Sequence, residues 1–326
     1  MGARSAAPLG LGFLGGPDLR RLVELGRLAE AAGFESLWHA ETRITRDSVT
    51  AMTALLLGTE RARVGSAAIN VYTRGAALTA ITWAAMAEAA PGRVILGVGP
   101  GSPAPLAQQG YAFDRPVSRL AEFVAAVRAT WSDAAPVSLP GRHSRLDGLT
   151  PEVRPPAAPP VYLCVTGPRA LDLAGACADG VILNAFMPVA YTRRAIARLD
   201  AAAGPGGFAG EVGQAMVVVL DASVSAAAER VRPILATYLV HFPNLAAETG
   251  LDPEFLARLR AVAGERGLPA VFGELPDALV QEHALVGPPE ACRERLADYR
   301  AAGLALPVLF PDPDGADLAV RMLAGA

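Results

Sequence analysis

A chain of 326 residues, 52% hydrophobic and 19% charged, holds enough apolar material for one large barrel or two ordinary domains and excludes global disorder. Its formal charge of -3 argues against a nucleic-acid partner, and no run reaches the ~18 apolar residues that a membrane helix needs. All 29 Lys/Arg positions are arginine, so lysine Schiff-base chemistry is excluded and a bound anion must be met by Arg, hydroxyls or backbone N–H groups.

Short apolar runs alternate with stretches of helical period. Residues 9–14 read as a first strand, and the opening MGARSAAPLGLGFLGG reads as its approach rather than a signal peptide. Asp18 begins a helix that Gly33 stops, and residues 35–39 form the next strand. The cycle repeats as helix 47–57 and strand 63–68, helix 76–90 and strand 93–99, then a long helix over 117–131. Residues 136–160, with five prolines between Pro151 and Pro160, break the rhythm as an inserted loop or hairpin. Strand 161–165, helix 168–177, strand 180–184 and the strands 212–220 and 306–310, each followed by helices, complete eight units. Residues 241–287 are too many for a simple connection and predict extra helices covering one end. Alternation alone does not separate a closed barrel from an open doubly wound sheet. Eight βα units in a chain of this length favour a single (β/α)8 TIM barrel domain over 1–326, with insertions near 136–160 and 241–287.

Cys164, Cys177 and Cys292 are scattered, without C-x-x-C spacing, so neither a zinc site nor a disulfide framework is supported. Reduced, mostly buried thiols in a cytoplasmic protein are the expectation. No H-x-x-x-H spacing suggests a metal site. His39 is placed mid-strand with Glu41 two residues on, on the same side of the strand. His143 reads as solvated, His241 and His283 as candidates to line a pocket, and Glu24, Glu30 and Glu122 as solvated helix faces.

Three strand ends carry the chemistry. Residues 93–102 end in Gly97, Gly99, Pro100, Gly101 and Ser102, a turn without bulky side chains that admits a flat ring or a phosphate, or else is a plain βα turn. Residues 64–74 end in small residues, then Asn70, Tyr72 and Arg74, which either make room for something bulky or cap the next helix. In residues 161–170 a strand enters Thr166-Gly167-Pro168-Arg169, with Pro at a first helical position, which is an anion site or a simple capped helix.

Read together, residues 32–38 (AGFESLW), 68–74 (AINVYTR), 96–101 (LGVGPG), 116–119 (PVSR), 175–184 (GACADGVILN) and 286–290 (VGPPE) resemble the luciferase-like monooxygenase superfamily. Within it the resemblance is strongest to the coenzyme F-420-dependent methylenetetrahydromethanopterin reductase type, and it runs nearly end to end. It implies a homodimeric barrel with a flavin or deazaflavin across the carboxyl ends of its strands, and a cis peptide at Ala67–Ala68 behind the ring. It also implies cofactor contacts from Asn70, Gly99, Pro100, Gly101, Ser102 and Asn184, and a phosphate held by Thr166, Gly167, Pro168 and Arg169. Two positions depart from the type: Gly12 stands where relatives carry a carboxylate, and Glu41-Thr42 where they carry Asp-His.

The expected function is an oxidoreductase that uses coenzyme F-420 to move hydride to or from a small organic substrate. Glu41, His39 and His241 are its candidate acid/base groups. Tyr72, Phe242 and His283 are expected to shape the substrate pocket. A monooxygenase using reduced FMN is the alternative, and a catalytically silent ligand-binding barrel, motivated by Gly12 and Thr42, is the third.

Overall fold

Runs of Val, Ile, Leu and Gly become eight parallel strands: β1 (Gly10–Leu14), β2 (Ser36–Ala40), β3 (Arg63–Ser66), β4 (Val94–Gly99), β5 (Val161–Cys164), β6 (Gly180–Leu183), β7 (Glu211–Leu220) and β8 (Leu306–Pro311). Neighbours pair in chain order, and β8 returns to β1 through Gly10↔Val308, which closes the sheet into a (β/α)8 barrel. The computed structural model describes residues 8–41, 45–132 and 136–326. The expectations for residues 1–7 and for Thr42 lie outside the described residues.

The outer ring comprises α1 (Leu19–Ala31), α2 (Ser48–Gly58), α3 (Ala76–Ala89), α4 (Pro116–Trp131), α5 (Pro168–Cys177), α6 (Val189–Ala203), α7 (Val224–His241), α8 (Pro289–Ala301) and α9 (Ala316–Leu323). Local chemistry sets several starts. Asp18 and Asp47 cap α1 and α2 by accepting the N–H groups of Arg21 (2.9 Å) and Thr50 (2.7 Å). Residues Val137–Leu139 and Leu146–Leu149 pair as an antiparallel hairpin. Beyond β7, α7 and the helices Pro253–Arg266 and Asp277–His283 gather over a separate apolar cluster that includes Val231, Leu235, Leu259 and Val271.

Side chains alternate in and out along each strand. The inward set fills the barrel with Trp38, Ile95, Tyr162, Ile182, Leu306 and Val308. Glycine on the neighbouring strand, paired directly opposite, makes room for each large ring. A Cβ on Gly65 would lie 2.5 Å from the Trp38 ring, and one on Gly180 would lie 2.5 Å from Tyr162. At the amino-terminal end Arg63 pairs with both oxygens of Glu211 at 3.1 Å, and Tyr162 Oη donates to the same carboxylate at 2.8 Å. This cross-brace closes the bottom of the barrel and leaves its carboxyl end as the open mouth.

Two glutamates read as solvated have structural work instead. Glu30 accepts the backbone N–H groups of Glu60, Arg61 and Ala62, and Glu122 accepts those of His143 and Ser144. Each carboxylate clasps a loop whose donors have no strand or helix partner.

Candidate active site

The mouth is shaped first by the junction of β3 and β4. Ser66 Oγ donates to the Gly97 carbonyl (2.7 Å) and accepts the Gly97 N–H (3.0 Å), so the two strands are pinned at the level of the slot. The peptide bond between Ala67 and Ala68 is cis, and Ile69–Asn70 then pairs in parallel with Val98 and Gly99. Asn70 Oδ1 accepts the Tyr72 N–H at 2.9 Å, which turns its amide toward Gly101. Gly101 has φ +65°, and a Cβ there would lie 2.2 Å from Asn70 Nδ2. Ala67, Ala68, Asn70, Gly99, Pro100, Gly101 and Ser102 together form a shelf of nearly bare main chain along one wall.

The adjoining wall is the start of α5. Gly167 is its N-cap and offers no side-chain bond, while a Cβ there would meet nothing within 4 Å. Tyr191 Oη donates to the Thr166 carbonyl at 2.6 Å and fixes the turn from behind. The amino terminus of α5 thus opens into the cleft, with the Thr166 hydroxyl and the exposed Arg169 guanidinium beside it. Helix N-termini with a hydroxyl and a guanidinium beside them are suited to an anion.

The remaining arc, from β7 through β8 and β1 to β2, is mostly apolar: Ala215, Val217, Phe310, Leu14 and Ala40 line it, with Ile234, Tyr238, His241 and Phe242 from α7 and its end above. Phe186 packs edge-to-face on Tyr238 and Tyr238 tilted on Phe242, at 4.8 and 5.2 Å between ring centres, which fixes the roof to the β6 loop. Glu41 closes the arc. Its Oε1 accepts from Arg74 Nη2 at 3.1 Å, and the same nitrogen reaches Asp47. Glu41 Oε2 is buried and has no partner among the described residues. All these walls surround one cleft of about 1350 Å³.

Glu41, His241, Phe242, Asn184 and all the expected shelf and anion-site residues line this cleft. Three expected site residues do not. His39 faces outward, because Trp38 takes the inward position on β2; it is fully buried against α2, with Nδ1 3.1 Å from Ser48 Oγ. Tyr72 lies behind the cleft wall, stacked on Phe113 with the Arg119 guanidinium 4.3 Å over its ring, and donates to the Asp114 carbonyl. His283 is buried under the roof with Nδ1 2.8 Å from the Leu279 carbonyl. Reading the sequence also missed Phe113, Arg115, Ser118, Tyr238 and Phe310, all of which line the cleft. Phe310 had a signal, since it continues the inward alternation of Leu306 and Val308, and Ser118 lay within residues 116–119 of the resemblance without being given a role.

Gly12 has a structural reason. A Cβ there would lie 2.4 Å from the Phe310 ring, so the aromatic side chain of β8 occupies the space above the first strand. Among the described residues no group of His, Cys, Asp and Glu could hold a metal ion. Cys164 lines the cleft, and burial pushes its thiol up to about 12. Cys177 is half-buried and Cys292 buried, both unpaired.

His39 yields a pH prediction. Burial, aided by the Arg46 charge, lowers it to about 4 from an ordinary 6.5. Above 6.5 both folded and unfolded chains are neutral there. As pH falls from 6.5 to about 4 the unfolded chain binds a proton that the folded one refuses, which costs about 3 kcal/mol of stability. Denaturant unfolding at stepped pH should show this loss, and His39→Gln should flatten the curve in that window. An equal slope in the variant would assign the loss to other groups.

The family model described as luciferase-like monooxygenase matches residues 3–306, and the chain belongs to that family. It is 26% identical over 301 residues to 5,10-methylenetetrahydromethanopterin reductase of Methanolobus tindarius, covering 90% of this chain and 91% of the relative. It is 26% identical over 332 residues to a putative coenzyme F-420-dependent oxidoreductase of Mycobacterium tuberculosis, with 92% and 93% covered. The structure of the coenzyme F-420-dependent tetrahydromethanopterin reductase from Methanopyrus kandleri superposes with a TM-score of 0.85 at 20% identity, over 98% of this chain and 97% of that one. Among the described residues no helix is long and apolar enough to cross a membrane.

Proposed function

We propose that this protein is a coenzyme F-420-dependent oxidoreductase acting on a small organic substrate. The observation that carries this reading is the meeting, in one cleft, of the bare shelf at Asn70, Gly99 and Gly101 with the open amino terminus of α5. A planar ring fits against main chain where any Cβ at Gly101 would collide, and a phosphate fits the N–H groups at Gly167 and Arg169. The same relation is supported by the F-420-dependent relative and by the reductase relative, both matched over nine-tenths of their length.

Bound there, the deazaflavin supplies a hydride donor or acceptor. The protein's own residues do the rest. Ala67, Ala68, Asn70, Pro100 and Ser102 would hold the ring, Thr166 and Arg169 would hold the phosphate, and Asn184 stands at the end of β6 beside them. The aromatic roof of Tyr238 and Phe242 excludes water from the reacting carbons. Glu41, held in place by its pairing with Arg74, accepts or returns the proton that accompanies hydride movement. His241, exposed on the rim, is the second proton-handling group.

Fluorescence titration with oxidised F-420 and with FMN tests the reading. Tight F-420 binding is expected; binding of FMN alone would replace it with the oxygen-activating alternative. Glu41→Gln is expected to lower turnover by about 100-fold or more with F-420 affinity unchanged. Unchanged turnover would remove Glu41 from proton transfer, and binding without any turnover by the unaltered protein would favour the silent barrel.

The same proposal includes a homodimer in the cytoplasm. No charged residue occurs in α2 and only Glu88 in α3, yet Leu57, Leu78 and Ile81 stand 72%, 54% and 42% exposed on their outer faces. An uncharged face is self-complementary, as a two-fold interface requires. Leu78→Glu should convert the dimer to a monomer in sedimentation velocity; a wild-type monomer would end this assignment. Three unpaired thiols suit a reducing compartment.

A further inference from the structure

The mouth is chemically divided, and its two halves select for different things. Both guanidinium groups among the lining residues stand on one side, Arg115 at the end of the loop after β4 and Arg169 in the first turn of α5, beside the shelf and the anion site. Among the described residues the arc from β7 to β2 has none. There the inward positions are Val217, Phe310, Leu14 and Ala40, and the Phe310 ring spreads across β1 because Gly12 offers no Cβ to oppose it. The charged group at its edge is Glu41, which shares Arg74 with Asp47, so two carboxylates divide one cation; neighbouring Arg46 donates to the Pro17 carbonyl instead.

We infer that this arc is the substrate chamber, that it takes an uncharged, largely apolar carbonyl or alkene compound, and that Phe310 is the residue that sets this selectivity. The inference rests on the coenzyme reading above, which assigns the other half of the mouth to the ring and phosphate. An anionic substrate entering the arc would lose its hydration, find among the described residues no cation other than Arg74, already shared by two carboxylates, and meet Glu41. A neutral apolar one gains contact with the Phe310 face and the Tyr238 roof at no such cost. Phe310 therefore acts as a specificity-determining residue, while Gly12 acts through it by leaving its ring room.

Calorimetric titration of the F-420-loaded protein with two probes of similar size separates the possibilities: benzylideneacetone, a neutral aryl enone, and cinnamate, its anionic counterpart. Benzylideneacetone should bind at least ten-fold more tightly than cinnamate. Phe310→Leu should weaken benzylideneacetone several-fold, and Phe310→Arg should reverse the order of the two probes, with F-420 affinity kept in both. Cinnamate binding equal to or tighter than the enone in the unaltered protein would overturn the inference. So would failure of the loaded protein to bind the enone, or a Phe310→Leu variant with unchanged affinity. Loss of F-420 binding itself is seen separately in the loading step and counts against the coenzyme reading; the probe preference is then read on the unloaded protein.

Discussion

Gly101→Val is expected to weaken F-420 binding by at least about 100-fold, some 2.7 kcal/mol, while the barrel remains folded. Two effects act together. The residue sits at φ +65°, where a Cβ crowds the following carbonyl and costs roughly 1–2 kcal/mol. The new side chain would also land on the Asn70 amide, 2.2 Å from Nδ2 at the Cβ alone. Asn70 would have to leave its bond to the Tyr72 N–H, and valine methyl groups would stand where the ring should lie. Because Gly101 is exposed at the outer end of the β4 turn, the core below is untouched. Coenzyme fluorescence titration alongside a thermal melt separates the outcomes. Unchanged affinity would mean that this turn does not approach the coenzyme.

Gly97→Ala should act four residues earlier and do the opposite, costing stability first. Its Cβ would be placed 1.8 Å from the carbonyl oxygen of Ser66, a main-chain atom that cannot swing away. The two strands must part, and the paired bonds between Ser66 Oγ and the Gly97 peptide go with them. Overpacking into a filled interior costs about 1–3 kcal/mol when side chains can adjust, and here backbone must. A loss of at least about 3 kcal/mol in denaturant unfolding is the expected result. A change within 0.5 kcal/mol would show that β3 and β4 have slack at this level.

Much of this architecture was legible because strand alternation leaves a plain trace. Gly10, Gly12, Trp38, Gly65, Ile95, Gly97 and Phe310 all share the inward parity. The same rule, applied strictly, turns His39 outward once Trp38 is placed inward, and the proximity of Glu41 in sequence obscured it. That residues 99–102 and 166–169 face the mouth was readable because they end parallel strands, although the same glycines and prolines equally suit a plain turn and a capped helix. The roof was not. Tyr238 reaches the cleft only through the packing of α7 across the barrel, and Phe113 only through a loop held by Tyr72 and Arg119. Contacts between elements distant along the chain leave no local period to detect. Glu30 and Glu122 failed for a related reason: an acidic residue on a helix looks solvated until the loop that needs its oxygens is folded against it.

The cross-brace of Arg63, Glu211 and Tyr162 makes the barrel blind at its far end. With the coenzyme on the proposed shelf, the smaller reactant would share its one doorway with a bulky tricycle seated on one jamb, and an ordered exchange is the expected consequence, the smaller reactant slipping in past the occupied shelf and leaving before the larger one is exchanged.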